Sequence, residues 1–353
     1  MRLNFLVPCP SLTVAALVAG FLLAGCLLAA SPATANPPCG ATLSGTTHLT
    51  ANLHCTSGPY ALRLNANAVL QLDGYALTGT VPVGVLIDGD NAVVRGFGSI
   101  EGFTTGISAS GYHGVEVDSV AFSLLGTGVL LEDGKDGEVF GSTFSFITAA
   151  GVELRDASAA DVLYHSIHGN TFFRINEGVR LCGTQVKYNQ ISTNTFFDGD
   201  YGVRAIHGAN YNHILKNEHD GAAVAAVGLE NVSNNLVEGN RMQDGARGVW
   251  ILGEALPLTS PCDLSQVLPE SWDNWVRTNT MLLNITGVQL GGASGFATTR
   301  DNTVTGNKIH DGSVGGDLRA DSQNNDFFGN SFCNLSTGIL DLGTGNITVP
   351  NPC

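Results

Sequence analysis

Charge is scarce in this 353-residue chain. Only 13% of the residues are Asp, Glu, Lys or Arg, and 16 Lys and Arg face 31 Asp and Glu, for a formal net charge of −15. Counterion release needs clustered positive charge, so this balance speaks against a general nucleic-acid or anionic-membrane binder. A sustained 3.6-residue apolar period is missing, which removes helical bundles and helical-pair repeats. The Leu-x-x-Leu-x-Leu pattern is also missing, which removes leucine-rich repeats. Beyond residue 30 no apolar run is long enough to span a bilayer. No Cys-x-x-Cys or His-flanked cysteine pair has metal spacing, so a zinc site is not expected. What the chain does have is 43% hydrophobic residues and 45 Gly. That is ample material for a core, and it excludes a disordered chain.

The first residues read as a targeting segment. Arg2 precedes an uncharged apolar run over residues 11–30, broken by Ser31 and Pro32. Two processing signals compete. Ala33-Thr34-Ala35 is a small-x-small cleavage site, giving a signal peptide over residues 1–35. Leu23-Ala24-Gly25-Cys26 resembles a bacterial lipobox at residues 23–26, in which Cys26 would carry a lipid anchor. Either route, like an uncleaved anchor, implies an extracytoplasmic (secreted or periplasmic) domain. Export gives the cysteines meaning. Setting aside Cys9 and Cys26 leaves Cys39, Cys55, Cys182, Cys262, Cys333 and Cys353, an even set suited to an oxidising compartment. The short-range choices Cys39–Cys55 and Cys333–Cys353 would staple the two ends, leaving Cys182 with Cys262.

The rest of the chain repeats. Over residues 178–252 one phrase recurs three times: a small residue and Val, an Asn pair five apart, then an acidic or Gly-rich turn. Openings of this kind fall at Gly84, Gly106, Gly128, Gly151, Gly178, Gly202, Ala226, Gly248, Gly287 and Gly338. Most lie 22 to 24 residues apart, and the last interval of 51 holds an extra coil over residues 316–332. A period this short, built of alternating runs and tight turns, fits three short strands per coil stacked into a parallel β-solenoid. Two Asn series mark it: Asn170, Asn194, Asn217, Asn240, Asn279, Asn307 and Asn330, and, five residues earlier, Asn189, Asn212, Asn235, Asn274, Asn302 and Asn325. Stacked at one rung per coil, each amide can bond its neighbour and the turn backbone. Two positions after the first series, Phe172, Phe196, His219, Met242, Met281, Ile309 and Phe332 form an inward apolar column, so His219 is expected in the core. His165 falls in the second Asn series and is expected to cap it.

The pattern G-[VI]-x-L…N-x-[IV]-x-x-N-x-[FI], over residues 84–342, resembles the right-handed parallel β-helix repeat of the pectate-lyase-like superfamily and of NosD-type exported repeat proteins. The resemblance implies an all-β, single-stranded right-handed parallel β-helix of about 10–12 coils with Asn ladders. The expected organisation is a capping segment at residues 36–80, then the β-helix at 81–353. A loop insertion interrupts it at 253–278, and a disulfide staples its C-terminal end. Such a fold hosts lyases, epimerases, hydrolases and non-catalytic proteins, so function must come from the site. None of the motifs that mark alginate epimerases, polygalacturonases or calcium-dependent pectate lyases is present. No cofactor is expected, and Ca²⁺ has no clear motif.

In proteins of this kind the G-V-x-L strand faces the substrate groove. Its outward residue is Glu153, Arg180, Arg204, Gly228, Trp250 and Gln289 on successive coils. Arg180 and Arg204 are then one rung apart, and stacked guanidiniums need anionic partners, from Glu153 or from a bound carboxylate. Flanking turns would add Glu177, Asp198, Asp200, Tyr201 and Asp220 on one side, and Lys187, His207 and Tyr211 on the other. The leading expectation is a polysaccharide lyase or C5-epimerase acting on a uronate polymer or cell-surface glycan. Arg180 and Arg204 would neutralise the carboxylate and His207 or Tyr201 would act as base. Trp250, with Trp272 or Trp275, would stack on sugar rings. A glycoside hydrolase would draw its carboxylates from Asp198, Asp200 and Asp220. The rival is a non-catalytic exported scaffold, adhesin or periplasmic assembly protein. A groove lined by Arg180, Arg204 and Trp250 favours the enzyme; a smooth face or a buried Arg–Glu pair favours the scaffold.

Overall fold

The computed structural model describes residues 35–254, 262, 267–292 and 297–353. Among them there is no helix, and every strand pairs parallel to its neighbours one coil away. The first strands of successive coils make a 13-stranded sheet, and the second and third strands stack into two further columns within a 24-stranded sheet. The chain is thus a parallel β-solenoid of about thirteen turns.

Thirteen exceeds the ten to twelve expected, and the difference lies at the front. Residues 36–80, read as a cap, themselves supply two rungs, Ala41–Leu43 and Tyr60–Asn65. They lack the Asn series that made later coils readable, but Leu43, Leu62, Leu64, Leu70 and Leu77 are buried in the common core. The extra C-terminal coil is present at Val314–Leu318.

The repeat letters each have a physical role. Val85, Ile107, Val129, Val152, Val179, Val203, Val227, Val249 and Val288 are register partners along the first sheet, every one fully buried. β-branched side chains pack well on such a pleated surface. The Phe column runs from Phe122 through Phe144 and Phe172 to Phe196, with ring centroids 4.7–4.8 Å apart. This inward column, rings in most coils and Met281 or Ile309 against Gly248 and Gly287, explains the small residue that opens each coil. A Cβ on Gly178 would lie 2.4 Å from the Phe196 ring, and one on Gly202 would lie 2.0 Å from His219. Ala226 takes the opening in the coil whose column residue is the flexible Met242.

Both Asn ladders form. Asn194 donates from Nδ2 to Asn217 Oδ1 at 3.1 Å and to the Ile167 carbonyl at 2.8 Å, while its Oδ1 accepts the Asn170 amide N–H at 3.0 Å. The second ladder repeats this from Asn189 to Asn325, and Asn346 extends it by one rung. His165 does occupy the rung before Asn189, its Nδ1 accepting the Gly137 N–H at 2.9 Å. The three disulfides are Cys39–Cys55, Cys182–Cys262 and Cys333–Cys353, with Cα–Cα distances of 5.5–5.7 Å.

Candidate functional site

The outward column of the first sheet is the one the period assigned. Glu153, Arg180, Arg204, Gly228, Trp250, Gln289 and Asp317 are successive register partners. Two columns flank it. Ala150, Glu177, Tyr201 and Ala225 lie on one side, and Glu132, Arg155, Cys182, Ile206 and Glu230 on the other. Glu177 and Tyr201, expected in flanking turns, are instead the first residues of the strands Glu177–Cys182 and Tyr201–Ile206, and so belong to this face.

The arginines are already matched by carboxylates of the chain itself. Arg204 donates Nε to Glu230 Oε1 at 2.9 Å and Nη2 to Glu230 Oε2 at 2.5 Å, a bidentate grip, and Nη1 to Glu177 Oε1 at 2.9 Å. Arg180 donates Nε to Glu177 Oε2 at 2.5 Å, with Nη1 3.6 Å from Glu153. Arg155 pairs with Glu132 and stands 3.8 Å from Glu153. Glu153, Glu177 and Glu230 are all buried. Four carboxylates therefore meet three guanidiniums, and the face has no surplus of positive charge.

The electrostatics follow. Burial alone would raise the Glu177 carboxyl, but the guanidiniums of Arg180 and Arg204 outweigh it and hold the group below the usual carboxylate range. Burial, and then the Glu230 charge, push the Tyr201 phenol far above its ordinary value. Its hydroxyl lies 3.1 Å from Glu230 Oε1 as donor, and Arg204 stacks over its ring at 4.9 Å. Tyr201 is thus held as a proton donor to Glu230, which counts against the expected role of base. Burial, then the Arg204 charge, lower His207, which stays neutral.

The other expected residues do not converge. Trp250 is on the face, its Nε1 donating to the Gly291 carbonyl at 3.1 Å under Arg247. Trp272 lies in a separate three-stranded sheet with Arg300 over its ring, and Trp275 is exposed on the second strand column. Neither joins Trp250. The cause is Asn274, which re-enters the Asn ladder between Asn235 and Asn302 and makes Ser271–Trp272 and Trp275–Arg277 strands, where a loop was expected through residue 278. Asp198 and Asp200 lie in the turn before Tyr201, beside Arg174, and Asp220 ends the strand Glu218–Asp220. Among the described residues Lys187 reaches Gln185, at 3.3 Å, and Tyr211 belongs to a stack of exposed tyrosines. Glu230 and Glu132 were missed. Their signal was the last outward position of the strand, where Arg155 also sits.

Three comparisons with known proteins bear on this geometry. The sequence model of the right handed beta helix region matches residues 105–262, and that of the periplasmic copper-binding protein (NosD) matches residues 219–346. No curated protein matches the chain in sequence. Among solved structures, a mannuronic acid specific polysaccharide family 6 lyase from human gut microbiota aligns with a TM-score of 0.60 at 13% identity, covering 85% of this chain and 86% of that one. A Yersinia enterocolitica family 28 exopolygalacturonase aligns with a TM-score of 0.62 at 11% identity, over 85% and 72%. The tailspike of E. coli bacteriophage HK620, solved with a pentasaccharide, aligns with a TM-score of 0.53 at 13% identity, over 87% and 60%. At these identities the likeness is one of fold. Copper, named in the second description, needs imidazole, thiolate or thioether donors. Among the described residues the matching cluster is Cys182, His207 and Cys262, with ligand atoms within 4.8 Å of one another. Both sulfurs are in a disulfide, so one imidazole remains and the set does not fit a copper site.

Proposed function

We propose that this chain, a right-handed parallel β-helix repeat protein, is an extracytoplasmic glycan-binding scaffold, and that the charged face on its first sheet braces the solenoid instead of turning over a substrate. One observation carries the second half. Arg204 spends Nε, Nη1 and Nη2 on the buried Glu230 and Glu177, and Arg180 spends Nε on Glu177, so a uronate carboxylate at Arg204 would have to displace an intramolecular, bidentate partner. The glycan half draws support from the polysaccharide-acting and pentasaccharide-bound proteins that share the fold. The three disulfides suit an oxidising compartment.

A second reading, a uronate lyase or C5-epimerase, is favoured by the crowding of shifted groups onto one face, since such clusters mark catalytic sites. In it Arg180 and Arg204 would neutralise the substrate carboxylate and the neutral His207 would be the base. A panel of neutral and uronic-acid polysaccharides separates the two. Binding would be read by affinity electrophoresis, elimination by ultraviolet absorbance of the unsaturated product, and epimerisation by NMR. The scaffold reading expects retention without product. Turnover that disappears in Arg204→Ala and His207→Ala would replace it with the enzyme, and failure to bind any polymer would overturn both.

A further inference from the structure

One backbone position recurs in the left-handed region on every coil from residue 114 onward. Its occupants are Gly114, Asp136, Tyr164, Tyr188, Tyr211, Asn234, Asp273, Asp301, Asn324 and Gly345, with φ between 52° and 69°. It immediately precedes the second Asn ladder, and the turn into that ladder imposes its geometry. Gly, Asn and Asp adopt this conformation readily; a bulky side chain there is strained. Seven of the ten occupants obey that rule, and the three exceptions are consecutive tyrosines.

Burial in the core does not compensate for the strain. Tyr164, Tyr188 and Tyr211 are 58%, 52% and 42% exposed. Their rings stack on one another, centroids 5.9 and 5.6 Å apart and planes within 29°, and so form a ridge along the solenoid axis. The two end rings each have a non-aromatic neighbour in the column, Asp136 or Asn234. Along one flank of the ridge, Lys187 contacts Gln185; along the other, Ser166, Gln190 and His213 are register partners. The middle of the ridge thus borders uncharged hydrogen-bonding groups, with Lys187 on one flank and Asp136 and Glu138 beyond its Tyr164 end, unlike the face with its matched ions. A phenol has an apolar body and a polar tip, which suits a surface that meets both C–H groups and hydroxyls.

We propose that Tyr164, Tyr188 and Tyr211 are the glycan-docking ridge of this protein, and that the ligand is a neutral polysaccharide lying along the solenoid axis. Rungs spaced about 4.8 Å apart would present a phenol to successive parts of the polymer. This rests on the glycan-binding reading above and says where, and with what class of polymer, that binding occurs.

The test is a triple substitution, Tyr164→Asn, Tyr188→Asn and Tyr211→Asn, which installs the residue used at Asn234 in the following coil. Affinity electrophoresis against xylan, mannan, galactan and a polyuronate would be run beside thermal unfolding. The wild-type chain should bind a neutral polymer in preference to the polyuronate. The triple variant should lose about ten-fold or more of that affinity, as removal of aromatic contacts does, with an unchanged or higher Tm. A triple variant that binds like the wild type refutes the ridge and leaves the glycan-binding reading standing. A Tm lowered by several degrees would assign the tyrosines a structural task and overturn the inference. Preference for the polyuronate would overturn the neutral-polymer assignment. A wild-type chain that binds none of the polymers defeats the glycan-binding reading itself, and the ridge with it.

Discussion

Replacing His219 by Phe should stabilise the protein, and increasingly so as the pH falls. His219 occupies the Phe column between Phe196 and Met242 and stacks on Phe196 at 4.6 Å. It is buried, and among the described residues neither ring nitrogen has a hydrogen-bond partner. An unpaired buried polar group costs roughly 1–3 kcal/mol. Phenylalanine already fills the equivalent slots against Gly151 and Gly178, and Met242 in the next coil is a side chain that adapts. His219→Phe should therefore gain about 1–3 kcal/mol at pH 7. The pH dependence has a definite sign. Burial pushes the His219 pKa down to about 3 and that of His165 down to about 4, both below the unfolded value of 6.5. The folded chain keeps both rings neutral while the unfolded chain takes up protons. Stability is therefore full above pH 6.5 and is lost as the pH falls toward 4 and 3. Between pH 6 and 5 each such histidine should remove roughly 1 kcal/mol. His219→Phe deletes one of these contributions and leaves that of His165. Chemical denaturation with the disulfides intact, at pH 7, 6 and 5, should show a gap between variant and wild type that widens by that amount per pH unit. A variant less stable at pH 7, or a gap independent of pH, would mean that the ring is solvated or partnered, and would refute the reasoning.

The brace on the first sheet should respond to pair logic. Arg204→Ala leaves Glu230 and part of Glu177 buried without a counter-charge and should lower stability by about 3 kcal/mol, whereas Arg204→Met combined with Glu230→Leu should restore much of it; unfolding midpoints of the two variants decide. In the Asn ladder, Asn217→Ala removes the amide bonds to Asn240 and to the Ile191 carbonyl, and strips the Asn194 N–H of its acceptor. A loss of roughly 2–4 kcal/mol is expected, with hydrogen exchange quickening at rungs on both sides of residue 217; an unchanged midpoint would mean the ladder contributes nothing.

Much of this architecture was readable because a solenoid repeats its physics at a fixed interval. Val, Phe and Asn recur where the same packing and the same turn recur, and Gly178 or Gly202 is small because a ring lies against it. The outward column was readable for the same reason, down to the one-rung spacing of Arg180 and Arg204. The pairing was not. Which carboxylate takes which guanidinium depends on what fills the last outward position of the strand in neighbouring coils, and that column, Glu132, Arg155, Cys182, Ile206 and Glu230, recurs in place but not in charge. The tryptophans were misread because proximity in sequence stood in for proximity on a face, while Asn274 had already set the register that separates Trp272 and Trp275 from Trp250. Of the tyrosine ridge only Tyr211 was singled out, because an aromatic side chain contradicts the turn chemistry of its position and so hides the repeat.

That contradiction separates the two unusual regions of the molecule. Cys262 is buried and disulfide-bonded to Cys182 on the charged face, next to Ile206. Cys262 therefore lies against this sheet, whose carboxylates Glu153, Glu177 and Glu230 are buried. Charges desolvated in this way must be matched, and Glu177, Glu230 and Glu153 match them; the network follows from the burial, with no ligand required. Apart from stacking on one another, the tyrosines have no comparable account within the fold. Their backbone is strained, their rings are half in solvent, and coils on either side satisfy the same turn with Asn or Asp. A cost that folding repays explains itself, whereas one that folding leaves outstanding points to something outside the chain. By that criterion the search for a ligand belongs at Tyr164, Tyr188 and Tyr211 before the arginines.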